Sequence, residues 1–254
     1  LFLGQLDASD YAAERGGRVV ALTLPQMMTL RLNLVSGFIF DALPGWGEVI
    51  ALPLEERKRR FADPSVRAEL DRRANSDEAG FFRFFAAWER MRIDEVFSEA
   101  NRAFRGRSVG EVAAELGRTP FDTFLDVALA DDLRASFMPP LPGDDDESWR
   151  LRAEIWRDPR TVVGASDAGA HLDMIDTFTL STALLGEGVR KRGLLSFEEA
   201  IHQISDVPAR LYGLRVRGRI APGWRADLVV IDPDRIGAGP VPTRNGLPQG
   251  AARL

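Results

Sequence analysis

Cysteine is absent from the 254 residues, and histidine occurs only twice, as His171 and His202. The first absence excludes disulfides, thiolate metal sites and cysteine nucleophiles. The second leaves too few imidazoles for a complete His-rich metal site. Nowhere do about 18 consecutive apolar residues occur, so no segment reads as a membrane-spanning helix. Positive charge does not dominate either. The chain carries 33 basic and 38 acidic residues, a net charge of −5, which argues against a general nucleic-acid or anionic-membrane binder. A Gly-rich phosphate loop, a serine nucleophile elbow and a Ser-x-x-Lys motif are missing as well.

What remains is ordinary globular material. Hydrophobic residues make up 45% and charged residues 28%, enough to build a core. The length is near that of one (β/α)₈ barrel or of two smaller domains. The opening Leu1-Phe2-Leu3-Gly4-Gln5-Leu6-Asp7 has no initiator Met, no basic n-region and no signal-peptide apolar run. These features predict a cytoplasmic piece cut from a longer protein. Asn245-Gly246-Leu247-Pro248-Gln249-Gly250 reads as a turn or tail.

Two runs predict parallel strands buried on both faces. Arg18–Leu24 is continuously apolar after Gly16-Gly17 and stops at Pro25; Thr161–Asp167 opens after Asp158-Pro159 and ends at Ala168-Gly169. Helical stretches near 8–15 and 175–191 flank them, the grammar of an α/β fold. The interval between the strands exceeds what one crossover helix requires, and it predicts an inserted, mostly helical subdomain over 36–155. Within it, Ser108-Val109-Gly110-Glu111 is a capping box for a helix ending near Gly117. Thr119-Pro120 caps a second helix through about Leu129. Phe81–Trp88 fits a buried helix or a strand. Asp144-Asp145-Asp146-Glu147 lacks the Gly and closing Glu of a calcium loop and reads as a solvated acidic loop. Downstream, Ser196-Phe197-Glu198-Glu199 is another capping box, with Phe197, Ala200, Ile201 and Ile204 on one face. Ser205-Asp206-Val207-Pro208 starts a helix that stops at Gly213. Arg217–Ile220 and Ala226–Ile231 then predict two strands around the turn Ala221-Pro222-Gly223-Trp224.

Asp167 is the leading candidate for chemistry. It stands where a buried parallel strand ends, the edge at which α/β barrels place catalytic groups. A carboxylate there can ligate a divalent cation or move a proton from water to a leaving group; it can equally be a helix N-cap or turn aspartate. His171, four residues on, fits a ligand, a substrate contact or a polar surface residue. His202 sits inside an amphipathic helix and reads as structural. Asp173 and Asp176 open the helix after the strand.

Val162-Val163-Gly164-Ala165-Ser166-Asp167-Ala168-Gly169-Ala170-His171 resembles the eighth barrel strand of the amidohydrolase superfamily. Ser205–Leu214 followed by Arg217–Val230 is similar to that superfamily's C-terminal signature, where the chain leaves the last barrel helix and closes a small β domain. The large insertion, Leu24-Pro25-Gln26 and Phe40-Asp41-Ala42-Leu43-Pro44-Gly45-Trp46 resemble N-acyl-D-amino-acid deacylases (D-aminoacylases) within it. The likeness covers nearly the whole chain.

That resemblance implies the last strands and helices of a TIM-type (β/α)₈ metal-dependent hydrolase. Its parts would be a barrel segment over 1–35 with strand 7, a helical cap over 36–155, a second barrel segment over 156–214 with strand 8, and a small β segment over 215–254. Family members hold one or two divalent metals, usually zinc, through a His-x-His pair and further His and bridging ligands on earlier strands. None of those has a counterpart here, so the metal would be bound mostly by residues outside this chain. Asp167 alone matches a family metal ligand, and the resemblance makes it both ligand and proton shuttle. His171 becomes a candidate substrate contact. Well-studied D-aminoacylases carry His-Pro-Arg at this place, the arginine meeting the substrate carboxylate; here His171 is followed by Leu172-Asp173. The implied activity is hydrolysis of a non-peptide C–N bond in a small acylated amino acid or similar amide, with no nucleic-acid or membrane partner and an inactive fragment on its own. The alternatives are a cyclic-amide or other amidohydrolase, or a truncated, non-catalytic chain.

Overall fold

A computed structural model describes residues 2–167, 169 and 174–239. The chain divides into two compact units, one built from residues up to Met28 and from Pro142 onward, the other from Thr29–Leu141. Residues 142–155, expected in the insertion, therefore belong with the strand-bearing unit. The reason is packing: the helix Asp146–Arg157 buries Trp149, Ala153 and Trp156 against Val163, Leu184, Leu185, Leu195 and Ala200. Asp145 caps this helix by accepting from Ser148 N, and Asp144 accepts from Trp149 Nε1 at 2.7 Å. The acidic loop is thus a helix start rather than only a solvated turn. No helix among the described residues is long and apolar enough to cross a membrane.

The strand-bearing unit opens with the helix Phe2–Ala13 and continues to the strand Ala21–Thr23. That strand pairs in parallel with Thr161–Val163, in the register Ala21↔Thr161, Leu22↔Val162, Thr23↔Val163. Thr161–Val163 is buried throughout, as its apolar run predicted. Ala21–Thr23 is not: Leu22 is 49% exposed and Val19 48%. Among the described residues this sheet has two strands, and the expected two-sided burial fails at Ala21–Thr23. Arg160, just before the buried strand, grips Asp158 in a bidentate pair (Nε to Oδ1 2.9 Å, Nη2 to Oδ2 2.6 Å) and reaches Asp10 of the first helix at 2.7 Å.

After the buried strand, Leu180–Ala183 runs into the π-helix Leu184–Lys191. Phe197–Ile204 follows with the predicted capping box, and Asp206–Leu211 ends before Gly213, whose φ is +67°. Phe197, Ile201 and Ile204 pack against the core while His202 faces out. The turn Ala221–Trp224 forms, closed by Trp224 N to Ala221 O at 3.1 Å, with Gly223 at φ +77°. The two strands predicted around it do not form among the described residues. One backbone bond, Arg225 N to Val216 O, joins the two arms. Isolated arms with no third strand or buried face are only marginally stable as a ladder.

The unit Thr29–Leu141 is mostly helical. Asp63 and the Pro64 that follows it start Pro64–Ala74, Ser108 caps Val109–Leu116 in a complete capping box, and Thr119 with Pro120 starts Pro120–Ala130. The unit holds the antiparallel pair Arg92–Ile93 with Phe137–Met138. Its core is aromatic: Phe40, Trp46, Phe61, Trp88, Phe121, Phe124 and Phe137 are buried, with Phe40 and Trp46 stacked at 5.5 Å. The indoles remain satisfied, Trp46 Nε1 on Leu70 O at 3.2 Å and Trp88 Nε1 on Asp71 at 2.8 Å. The ambiguous Phe81–Trp88 stretch adopts 3₁₀ turns, kinked at Gly80, with Phe81 80% exposed and Phe85 buried.

Candidate active site

Parallel pairing brings the C-terminal ends of Ala21–Thr23 and Thr161–Val163 to one sheet edge. Beyond that edge the chain is held on both sides. Gly164 N and Ala165 N both donate to Thr23 O, at 3.2 and 3.3 Å. The Thr177 hydroxyl donates to Ser166 O. The next residue is Asp167, exposed, with φ at +49°. Aspartate is one of the few residues besides glycine that visits this left-handed region readily.

The helix-cap reading of Asp167 does not hold for the helix after the strand, whose first residue is Leu180 and whose N-cap is Thr179. Asp176 lies in the extended pair Ile175–Asp176 and does not open that helix. His171 and Asp173 lie outside the described residues. Thr177, 1% exposed, is the residue that pattern-reading missed. A lone Thr in a connecting segment carries no periodicity or motif that would single it out.

A structural zinc site needs about four donors, and a catalytic one about three from the protein. Among the described residues no group of three or more His, Cys, Asp or Glu is placed to hold a metal ion. Asp167 is a lone, exposed carboxylate, so the described residues do not fit zinc by themselves. In the same unit a cavity of about 360 Å³ is lined by Gln26, Met27, Thr179, Glu187 and Arg190, among others, and not by Asp167. Its charges are already engaged. Burial pulls the Glu187 carboxyl up, but Lys191 and Arg192 outweigh that and leave it below the usual carboxylate range.

The amidohydrolase family (Amidohydro_3) matches residues 15–242. The chain belongs to that family. An uncharacterized protein of Mycobacterium tuberculosis is 29% identical over 188 residues, covering 71% of this amidohydrolase chain and 29% of that protein. N-acyl-D-glutamate deacylase of Alcaligenes xylosoxydans xylosoxydans is 41% identical over 71 residues, 28% of this chain and 14% of the enzyme. D-aminoacylase of the same organism is 31% identical over 132 residues, half of this chain and 25% of the enzyme. Among solved structures, N-acyl-D-glutamate deacylase from Bordetella bronchiseptica, complexed with zinc and a phosphonate inhibitor, is similar at 21% identity. Its TM-score is 0.45, over 92% of this chain and 37% of that one. The amidohydrolase chain thus spans less than a third of the length of the curated relatives it matches.

Proposed function

We propose that this chain is the C-terminal portion of an amidohydrolase that cleaves the amide bond of an N-acyl-D-amino acid. The observation that carries the reading is the 41% identity with an N-acyl-D-glutamate deacylase inside a family match over residues 15–242. The placement of Asp167 beyond the C-terminal edge of a parallel strand pair supports it, since barrel enzymes work at that edge. On this reading the two parallel strands are the seventh and eighth of a (β/α)₈ barrel, and Thr29–Leu141 is an inserted cap that shapes substrate choice. The arm after Leu214 is part of a small β domain. Ligands for a divalent metal other than Asp167 belong to polypeptide outside this sequence.

Asp167 accepts the proton of the water that attacks the acyl carbon and delivers it to the departing nitrogen. The C–O bond forms first, giving a tetrahedral adduct, and the C–N bond then breaks as the nitrogen takes the proton, giving a carboxylic acid and a free amino acid. One sequence feature favours a second reading, a cyclic or otherwise neutral amide as substrate: Leu172-Asp173 stands where an arginine for a substrate carboxylate would be expected.

The test is release of free amino acid from N-acyl-D-glutamate, N-acyl-D-aspartate, their L-enantiomers and a cyclic amide. It is run with zinc, on the 254-residue chain and on a longer polypeptide containing it. Turnover of the D-substrates by the longer polypeptide alone is the expected result. Turnover by the 254-residue chain overturns the assignment of the metal ligands, and a preference for the cyclic amide overturns the substrate.

A further inference from the structure

The two strand exits at the candidate site are tied to each other by side chains as well as by backbone. Thr23 O takes both Gly164 N and Ala165 N, at 3.2 and 3.3 Å, and the Thr177 hydroxyl donates to Ser166 O. The Thr179 hydroxyl donates to Gln26 Oε1 at 3.2 Å, and Gln26 lies just beyond the strand Ala21–Thr23.

Neither threonine serves the helix that follows. Thr179 is the N-cap of Leu180–Ala183, where a threonine hydroxyl ordinarily accepts from a main-chain amide of the first turn, yet its side chain makes no cap bond. Thr177 is 1% exposed, so its hydroxyl has no bulk water to turn to and is committed to Ser166 O. Its branched Cβ restricts the rotamer and keeps the hydroxyl where packing puts it. Polypeptide added around this chain can only bury Thr177 further.

The consequence falls on Asp167. The carbonyl of Ser166 and the amide N–H of Asp167 belong to one rigid peptide plane. Turning that plane changes ψ of Ser166 and φ of Asp167 together. At +49° the φ of Asp167 lies in a region that is costly for an L-residue, and turning the plane lets it relax to negative values. That turn carries Ser166 O away from Thr177 and leaves a buried hydroxyl without its partner, which opposes it. The direction of the Asp167 Cβ is therefore held by a side chain from the far end of the connecting segment.

We infer that Thr177 is a positioning residue for Asp167, and that Thr179, through Gln26, fixes the neighbouring strand exit beside it. This rests on the proposed amide hydrolysis with Asp167 as proton acceptor. It adds that the rate depends on the Thr177 hydroxyl, whose loss moves the carboxylate while the fold stays. A misplacement of about 1 Å costs on the order of 100-fold in rate.

Two measurements test it, on Thr177→Val, which removes the donor, and on Thr177→Ser, which keeps it. The first is amide hydrogen exchange in the 254-residue chain. Thr177→Val is expected to speed exchange at Ala165 and Asp167 about fivefold or more relative to the helix Phe197–Ile204, and Thr177→Ser to return it toward the parent. The second is steady-state hydrolysis of N-acyl-D-glutamate by the longer polypeptide, with metal content matched between variants. There Thr177→Val is expected to lower kcat about tenfold or more with KM within about twofold, and Thr177→Ser to recover most of the loss. Thr179→Val lowers kcat less than Thr177→Val does. Unchanged exchange at Ala165 and Asp167 in Thr177→Val overturns the inference, as does parental kcat or an equal loss in the Ser variant. If the longer polypeptide hydrolyses none of the amides, the proposed function falls, and exchange alone still decides whether Thr177 holds the backbone at Asp167.

Discussion

The Thr177 hydroxyl donates to the main-chain carbonyl of Ser166, the residue immediately before Asp167. Thr177 is buried, so this bond is made out of water and fixes the backbone that presents the candidate carboxylate. Thr177→Val keeps the shape and removes the donor. It is expected to lower the free energy of unfolding by about 1 kcal/mol, the net worth of such a bond. Thr177→Ser, which retains the hydroxyl, restores the bond itself. Urea unfolding of both variants decides it, and equal loss in the two would assign the effect to packing.

Asp167→Asn leaves the fold intact, because asparagine tolerates a φ of +49° and the side chain is exposed. The amide cannot act as a base, so kcat of the metal-loaded longer enzyme is expected to fall by about 10²–10⁴-fold. His202→Gln, on the outer face of its helix, keeps most of the activity. Steady-state kinetics with metal content matched between variants checks both. Near-parental kcat in the Asn variant would reduce Asp167 to a turn residue.

The hydrogen bonds from Arg160 hold the Asp158 carboxyl down to about 2, from an ordinary 3.8. A carboxyl with a lower value in the folded chain binds its proton more weakly there than in the unfolded chain. Its stabilisation is therefore present above pH 3.8 and fades as the pH falls toward about 2. Asp158→Asn should lower the urea midpoint near neutral pH, and the gap from the parent should narrow as the pH drops through that window. A gap independent of pH would mean that the bidentate pair contributes nothing through ionisation.

Leu22 of the strand Ala21–Thr23 and Val19 just before it leave apolar surface in solvent. Unpaired strand edges and exposed apolar patches promote association. The isolated chain is expected to bind an apolar dye and to self-associate with rising concentration. Leu22→Thr together with Val19→Thr should lessen both, as read by dye fluorescence and sedimentation velocity.

Local chemistry made much of the framework legible. Ser108 with Glu111, Ser196 with Glu199, and Thr119 with Pro120 start helices where their spacing places them, because a cap is completed within one turn of chain. The turn at Pro222-Gly223 forms for the same reason. The strands predicted on either side of it do not, since a strand depends on a neighbour that no local pattern supplies. For the same reason a continuous apolar run marked Ala21–Thr23 as a strand yet misjudged its burial. At the candidate site, Asp167 could be found from its place after such a run, whereas Thr177 could not.

The order of residues by itself determined where the capped helices at Ser108, Thr119 and Ser196 begin, that Asp167 follows a buried strand, and that cysteine and histidine are too scarce for a complete His-rich metal site. Only the tertiary structure decided that 142–157 packs with the strands through Trp149 and Trp156, and that Thr177 holds the backbone before Asp167. It also decided that Asp206 gathers Arg210 and Arg219. Caps and turns are settled by bonds between residues a few positions apart. Burial and charge pairing depend on groups distant in sequence, whose meeting no local pattern encodes.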